Sequence, residues 1–388
     1  MTRKFVKRTL DAERAFDGVP TCVLLYKTMK VVTDSWWRLM YAWYLDSKAM
    51  IKYMGKLSSP FNIQKGTRQG GLTSPFLFNV LYQDMIHDLS QSKNGLMIGN
   101  NTYSVFCYAD DILLMSMTAT GLQRLIDTAN DYICAHGLSF NAAKSSCTVF
   151  GNHSFVYEPR WCLNGLTIQN MDEINYLGAI LCYDSKRHRN LRATRCRRAF
   201  YSLQSAGLCQ DGVKPKIKSY LWKAALQPIL TYGNDCIGLS KADFKELDKV
   251  QAKLIKASLG LSKYMRTTPL LQALAVDRVS KLADINCMKL FRSIMFNSSR
   301  SANFYTYMLS RSKNHNVLSN RVYNICDSMN FNFTKYLIDE DYVKQCTNVM
   351  RAYQSEFQSG LVDSCKMLLH NYTPADKRLL VLLIMPRF

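Results

Sequence analysis

Residues 104–116 have the sequence Ser-Val-Phe-Cys-Tyr-Ala-Asp-Asp-Ile-Leu-Leu-Met-Ser, two short apolar runs on either side of a carboxylate pair. This pattern predicts a β-hairpin with Asp110 and Asp111 at its tip. Two adjacent like charges with buried flanks are costly unless a cation compensates them. The alternative is a solvated turn without a chemical role. The buried flanks favour a cation site.

A third carboxylate, Asp11, follows the apolar run Phe5 to Leu10, which we interpret as a strand. One acid from a neighbouring strand and two from a hairpin tip together supply the oxygen ligands that hard divalent ions such as Mg²⁺ and Mn²⁺ prefer. A pair of such ions serves nucleotidyl transfer by clamping the attacking and leaving oxygens. The three carboxylates therefore predict a site for two Mg²⁺ or Mn²⁺ ions.

Helical and strand patterns alternate around these acids, which predicts an α+β fold. The predicted helices are Val23–Val32, Leu72–Leu89 (entered through Ser74-Pro75) and Leu122–His136. The predicted strands are a hairpin pair at 51–65 around the turn Ser58-Ser59-Pro60, a strand at Cys147–Phe150, and short strands from Trp161 to Cys182, with Tyr176-Leu177-Gly178 inside one of them. After Lys186 the sequence becomes helical and basic. We predict three regions, 1–185, 186–280 and 281–388.

The chain has 50 Lys and Arg against 29 Asp and Glu, a formal net charge of +21. An excess of this size favours a polyanionic partner, nucleic acid before membrane. The alternative for any one basic run is that its lysines solvate a helix face.

Thirteen cysteines occur without a Cys-x-x-Cys pair or a Cys/His cluster at zinc-finger spacing. We therefore expect thiols in a reducing compartment and no structural zinc. The sequence shows no signal peptide and no apolar run long enough to cross a bilayer. We expect an intracellular protein of the cytoplasm and nucleus that is neither secreted nor bound to a membrane.

Five motifs, in this order, resemble those of the reverse transcriptase family, in the branch found in non-LTR retrotransposons. They are Leu10 to Asp17, Arg68-Gln69-Gly70-Gly71-Leu72-Thr73-Ser74-Pro75, Tyr108 to Asp111, Gly137 to Lys144, and Tyr176-Leu177-Gly178. The region after residue 190 is similar to the thumb of those proteins. The resemblance implies a palm, in which an antiparallel sheet packs on helices, then a basic helical thumb at 186–280 and a helical C-terminal region of unknown role.

The resemblance also implies roles for single residues. Asp11, Asp110 and Asp111 would hold the metal ions, and Lys144 would protonate the departing pyrophosphate as general acid. Phe16 would pack beneath the sugar of the incoming deoxynucleoside triphosphate and exclude a 2′-hydroxyl. The alternatives are that Phe16 is an ordinary core residue and that Lys144 is merely exposed.

Further residues would contact nucleic acid or substrate. Gln69 and Gly70 would lie against the templating pair and the nucleotide, Arg68 would support phosphate or backbone nearby, and Tyr108 would contact substrate. The fifth motif, Tyr176-Leu177-Gly178, would hold the primer end. Apart from the resemblance, the run of basic residues from Lys186 to Arg198 predicts phosphate contacts to an RNA template and DNA primer by Arg192, Arg195 and Arg198.

The resemblance implies an RNA-directed DNA polymerase. Because the first motif begins so close to the start of the chain, we expect that the fingers and an endonuclease are missing, and an inert nucleic-acid-binding remnant is the alternative function. An RNA-dependent RNA polymerase is disfavoured by Tyr108-Ala109 ahead of the acids and by the bulky Phe16.

Overall fold

The computed structural model describes residues 5–11, 15–67, 71, 73–98, 101–150, 159–182, 184–296 and 317–352. The chain divides into two compact units, Met1–Tyr183 and Asp184–Phe388. The division lies next to residue 185, where the sequence turns basic and helical. Every helix within the described ranges is too short or too polar to span a lipid bilayer.

The N-terminal unit combines helices and strands, in agreement with the α+β prediction. Its helices are α1 (Ala15–Gly18), α2 (Thr21–Thr28), α3 (Asp34–Leu45), α4 (Ser74–Gln91) and α5 (Ala119–Ala135). Its strands are β1 (Phe5–Asp11), β2 (Lys48–Ala49), β3 (Lys52–Tyr53), β4 (Lys56–Leu57), β5 (Phe61–Asn62), β6 (Leu96–Ile98), β7 (Asn101–Tyr103), β8 (Val105–Tyr108), β9 (Asp111–Ser116), β10 (Ser146–Phe150), β11 (Trp161–Leu163), β12 (Leu166–Asn170), β13 (Ile174–Tyr176) and β14 (Ala179–Leu181).

Six strands form the central sheet of this unit, in the order β11-β12-β10-β1-β9-β8. All neighbouring strands are antiparallel except β10 and β12, which pair in parallel. Leu10, Ile112 and Leu114 from the sheet share one core with Leu81 of α4 and Ile126 of α5. A buried Leu or Ile contributes about 1.5–3 kcal/mol. A one-residue slip would move these side chains to the opposite face, so the core fixes the register.

The turn of the predicted hairpin at 51–65 is not where the sequence suggested. The innermost strands, β3 and β4, are joined by Met54 and Gly55, both with positive φ (46° and 79°), and not by Ser58-Ser59-Pro60. A two-residue hairpin turn with positive φ at both positions matches the strand twist, and glycine adopts that conformation without strain. The Ser58 backbone N–H instead donates to the carbonyl of Ile51 within the hairpin.

The prediction that Tyr176-Leu177-Gly178 lies inside one strand was also wrong. Tyr176 ends β13, and Leu177 (φ 49°) and Gly178 (φ 74°) form the turn into β14. Glycine at the second left-handed position again makes a two-residue hairpin turn favourable.

The C-terminal unit is helical in its described part. Its helices are α6 (Ser185–Ser205), α7 (Pro215–Leu221), a π-helical turn (Trp222–Leu226), α8 (Gln227–Thr231), α9 (Lys241–Ser258), α10 (Thr267–Ala273), α11 (Val279–Met295), α12 (Val317–Ser328), α13 (Phe333–Ile338) and α14 (Glu340–Ala352). One core cluster extends from Ala193 to Ala283 and a second from Ile285 to Met350. The boundary near residue 280 stays a prediction.

Candidate active site

The carboxylate pair lies at the end of a hairpin, as predicted, but Asp110 lies in the turn and Asp111 in a strand. Tyr108 pairs with Asp111 across β8 and β9, so Ala109 and Asp110 form the turn and Asp111 is the first residue of β9. Ala109 has a φ of 52°. The left-handed region costs a residue with a Cβ roughly 1–2 kcal/mol, and such strain is concentrated at functional sites. The turn thus holds Asp110 ahead of the strand.

The backbone register places Asp11 beside this turn. β1 pairs antiparallel with β9, and Asp11 is directly opposite Asp111. Paired residues of an antiparallel ladder have Cα atoms about 4.5–5.5 Å apart. Among the described side chains, which do not include that of Asp11, no three His, Cys, Asp or Glu groups lie close enough to hold a metal ion. The register of β1 against β9 places Asp11 as a third acid beside this pair.

Tyr82 of α4 lies close enough to Asp110 of the hairpin turn to interact with its charge. Its hydroxyl is buried and has no hydrogen-bond partner among the described residues. Burial raises the pKa of Tyr82, and the negative charge of Asp110 raises it further. Tyr82 therefore stays protonated. Its protonated hydroxyl, close to Asp110, adds no further negative charge to the carboxylates.

Phe16 is half-buried and stacks on Phe78, with ring centroids 4.5 Å apart and an interplanar angle of 28°. Phe78 is 1% exposed and packs edge-on against Tyr82. The row of rings anchors one face of Phe16 in the core and leaves part of the residue accessible. This position is compatible with both the sugar-contacting role and the core role that the sequence left open.

Two backbone hydrogen bonds join the region of the first motif to the residues just before the second motif. The backbone N–H of Thr67 donates to the carbonyl of Phe16 over 2.7 Å, and that of Gly66 donates to the carbonyl of Val19 over 2.7 Å. Arg68, Gln69 and Gly70 lie outside the described residues, yet they follow directly after Thr67. The sequence did not single out Gly66 and Thr67, although a glycine two residues before the second motif is a turn signal.

Gly66 is required at this joint, and its replacement is expected to destabilise the N-terminal unit. Its φ is +96°, and a Cβ would lie 3.1 Å from the Cα and carbonyl oxygen of Asp17. Gly66→Ala should cost more than Gly55→Ala, because Gly55 has a φ of +79° but open space around it. We expect roughly 1–2 kcal/mol for Gly55→Ala and about 1–3 kcal/mol more for Gly66→Ala.

Urea unfolding of the two variants and the wild type measures the difference. Gly55→Ala is the matched control, since it carries the same backbone strain without the steric contact. Equal losses in the two variants would mean that the joint tolerates a Cβ and does not depend on the close approach.

Lys144 lies at the same end of the sheet as the acids. Ser146, which begins β10, pairs with Thr9 of β1. Because the two strands are antiparallel, moving two residues forward from Thr9 and two residues back from Ser146 leads to the same end of the sheet. These positions are Asp11 and Lys144. The Lys144 side chain is exposed, and its backbone N–H donates to Oδ1 of Asn141 over 3.2 Å.

The β13–β14 hairpin packs close to the carboxylate hairpin. The Tyr176 hydroxyl donates to the carbonyl of Phe106 over 3.5 Å. Burial raises the pKa of Tyr176 to about 12, with a smaller contribution from the charge of Asp111. This places Tyr176 beside β8, near Asp111. Tyr108, at the end of β8, is 66% exposed and free to meet a ligand.

The basic helix α6 does not present all of its predicted arginines to solvent. Arg195 and Arg198 are exposed, whereas Arg192 is 3% exposed and its guanidinium lies 4.8 Å from the ring centroid of Tyr232. The prediction that Arg192 contacts phosphate is therefore wrong in this structure. His188, Arg192, Cys196 and Phe200 recur at every fourth position and form the buried face of α6.

A family model described as reverse transcriptase (RNA-dependent DNA polymerase) matches residues 4–181 of this chain. The RNA-directed DNA polymerase of the mobile element jockey from Drosophila funebris is 25% identical over 281 residues, which are 70% of this chain and 30% of that protein. A retrovirus-related Pol polyprotein of a type-1 R2 retrotransposable element from Popillia japonica is 26% identical over 252 residues, 62% of this chain and 40% of that protein.

The chain thus spans less than half the length of either relative. Among solved structures, telomerase of Candida tropicalis in complex with a telomeric RNA fragment aligns over 96% of this chain and 50% of its own, with 10% identity and a TM-score of 0.37. The matched range contains the positions of Asp11, Asp110, Asp111 and Lys144. Residues 4–181 therefore match the reverse transcriptase family, and the chain is similar to polymerases of retrotransposable elements.

Proposed function

We propose that this chain catalyses RNA-directed DNA synthesis, the template-directed addition of deoxynucleotides to a primer 3′ end. The observation that carries the proposal is the register of β1 against β9, which pairs Asp11 with Asp111 next to the strained turn at Asp110. Acids from two adjacent strands and one turn suit the hard oxygen preference of Mg²⁺ or Mn²⁺. When bound, two such ions stabilise the charge on the attacking and leaving oxygens.

The remaining residues would position the reactants. Phe16, held from below by Phe78, would limit the space at the 2′ carbon of the nucleotide sugar. Tyr108, largely exposed at the end of β8, would contact the bound substrate. The Lys144 ammonium, at the same end of the sheet, would donate a proton from Nζ to an oxygen of the departing pyrophosphate.

Nucleic acid would be held on both sides of these reactants. Gln69 and Gly70, with Arg68 before them, would approach the templating pair, because the chain leading into them is bonded to Phe16. The Tyr176-Leu177-Gly178 turn would support the primer end beside Asp111. An RNA template and DNA primer, with deoxynucleoside triphosphates, are the substrates of this proposal. Primer extension on an RNA template tests it directly.

A basic surface on the C-terminal unit supports a second function, the binding of duplex without catalysis. Arg195, Arg198 and Tyr201 follow one another at three-residue spacing on α6, and all three are exposed. Lys214 and Lys216 are also exposed near the start of α7. Helical residues three apart share a face, so Arg195, Arg198 and Tyr201 form one ridge on α6. Binding through such a ridge requires none of the carboxylates.

We expect the double variant Arg195→Gln/Arg198→Gln to bind a blunt RNA–DNA duplex with a weaker salt dependence. Each phosphate contact contributes about −0.9 to the slope of log K against log salt concentration on B-form DNA, and similarly on a hybrid, so the slope should become less steep by about 1.8. Fluorescence anisotropy at several salt concentrations measures it.

Two controls separate surface from interior effects. Arg124→Gln removes an exposed arginine of α5 and should leave the slope unchanged. Arg192→Gln should lower the free energy of unfolding, since it disrupts the contact with Tyr232, and should not change the slope in the folded fraction. A wild-type slope in the double variant would place the duplex on another surface.

A further inference from the structure

A hairpin between the first two motifs is almost entirely exposed. It consists of residues 48–62, with β2 and β5 at its base and β3 and β4 at its tip, and we call it the lysine hairpin. Every residue from 50 to 65 is exposed. Tyr53, Met54 and Leu57 are 73%, 86% and 61% exposed. Large apolar side chains clustered at such exposure mark an interaction surface.

The charge of this segment defines the kind of partner. Residues 47–83 contain no Asp or Glu, and the lysine hairpin carries Lys48, Lys52 and Lys56. Lys48 pairs with Asp46 over 2.9 Å, but Lys52 and Lys56 have no carboxylate partner among the residues that the structure describes. Lysine is depleted at protein–protein interfaces, so the combination of lysines with an aromatic ring favours nucleic acid.

The strand register combines the ring and a charge on one face. Tyr53 is directly opposite Lys56 in the β3–β4 pair, and directly opposite residues of an antiparallel pair extend from the same face with Cβ atoms about 4.5–5.5 Å apart. A base can stack on the exposed ring while the ammonium meets its phosphate. Bases in a duplex are already stacked on each other, so this surface suits an unpaired strand.

The base of the lysine hairpin is fixed next to the candidate active site. Ile63 donates its N–H to the carbonyl of Ser47 over 2.8 Å, and Lys65 forms a β-bridge with Pro20. Two residues later Thr67 is bonded to Phe16. A strand rise of about 3.3 Å per residue puts the tip at most about 30 Å from this base. A single strand bound along the hairpin would lead towards the carboxylates.

We propose that the lysine hairpin binds single-stranded nucleic acid through stacking on Tyr53 and phosphate contacts from Lys52 and Lys56. The identification of that strand as unpaired template RNA rests on the proposed function; the binding itself does not. The hairpin is a surface separate from the ridge on α6, which would hold duplex.

The experiment compares two probes on the full chain by fluorescence anisotropy, a labelled oligouridylate of about 16 nucleotides and a blunt RNA–DNA duplex. Tyr53→Ala should weaken oligouridylate binding by about fivefold or more. Lys52→Gln/Lys56→Gln should make the salt slope on this probe less steep by about 1.4, or 0.7 for each phosphate on a single strand. Neither variant should change duplex binding.

Tyr264→Ala is the matched control, because Tyr264 is also 73% exposed and lies beside a lysine, with Lys263 4.9 Å from its ring centroid. It should leave oligouridylate binding unchanged. Equal losses in Tyr53→Ala and Tyr264→Ala, or no loss in either, would overturn the proposal. So would sedimentation showing that the hairpin variants only convert a dimer to a monomer, with unchanged affinity for oligouridylate.

The same samples separate this proposal from the proposed function. Weakened oligouridylate binding in Tyr53→Ala, in a chain that shows no Asp110-dependent primer extension, would support the hairpin site and contradict the polymerase. Asp110-dependent extension, with oligouridylate binding unchanged in Tyr53→Ala, would support the polymerase and contradict the hairpin site.

Discussion

Replacement of Asp110 by Asn is expected to lower primer extension on an RNA template by at least about 10²–10³-fold. Removing one well-placed electrostatic group from a preorganised site costs about this much. Asp110 lies in the turn that the positive φ of Ala109 and the pairing of Tyr108 with Asp111 define. The amide keeps the volume of the carboxylate but removes its charge, so the turn geometry should survive.

Primer extension and calorimetric titration with Mg²⁺ together measure this effect. The variant should lose divalent-ion binding while its urea unfolding midpoint without metal stays equal or rises, because a like charge beside Asp111 has been removed. Asp131→Asn is the control, since Asp131 is exposed on α5 away from the hairpin sequence. Extension or ion affinity equal to that of the wild type in Asp110→Asn would remove this turn from the chemistry.

The sequence predicted α2, α4, α5 and the carboxylate hairpin because their signals are local, but it missed α3, Asp34–Leu45. The helix entered through Ser74-Pro75 begins at Ser74, and the hairpin spans Val105 to Ser116. Apolar spacing and proline at an early helical position depend only on neighbouring residues. The pairing of Asp11 with Asp111 is different. It depends on a strand register set by a core assembled from distant parts of the chain, which no local pattern shows.

The wrong predictions followed a local signal at positions where backbone conformation or packing decides the structure. Ser58-Ser59-Pro60 is a good turn signal, but Met54-Gly55 closes the inner pair because a two-residue turn needs positive φ at both positions. Arg192 was included among basic neighbours by composition alone. The spacing of His188, Arg192, Cys196 and Phe200 is helical, and it would have indicated a buried face had the helix been divided into faces first.

The sequence predicted the candidate site residues, but not the residues that hold them in place. The motif resemblance supplied Phe16 and Lys144, and the structure adds Tyr82, Gly66 and Thr67, which no motif included. Each of these three acts through a contact between segments that are far apart in sequence. Thr67 contacts Phe16 across 51 residues, for example.

Phe16→Val is expected to raise incorporation of ribonucleotides relative to deoxyribonucleotides by about 10–100-fold. A hydrophobic pocket discriminates by about this factor when the ligands differ by one small group. The ring of Phe16 is fixed from one side by Phe78, so it cannot easily move away from an added hydroxyl. Valine leaves room where the ring edge was. The measurement is the ratio of kcat/KM for a ribonucleotide to that for the matching deoxyribonucleotide in primer extension.

A loss of stability accompanies this substitution and must be separated from selectivity. Removing part of a ring that packs on the core costs about 1–3 kcal/mol. Phe78→Leu is the matched control, because Phe78 is 1% exposed beneath Phe16 and its truncation weakens the same stack without shortening Phe16. Both variants should lower the free energy of unfolding, and only Phe16→Val should change the ratio. If the kcat/KM ratio is unchanged in the two variants, or raised equally in both, Phe16 is a core residue only. A residue that selects the sugar must act through the space that its own ring fills.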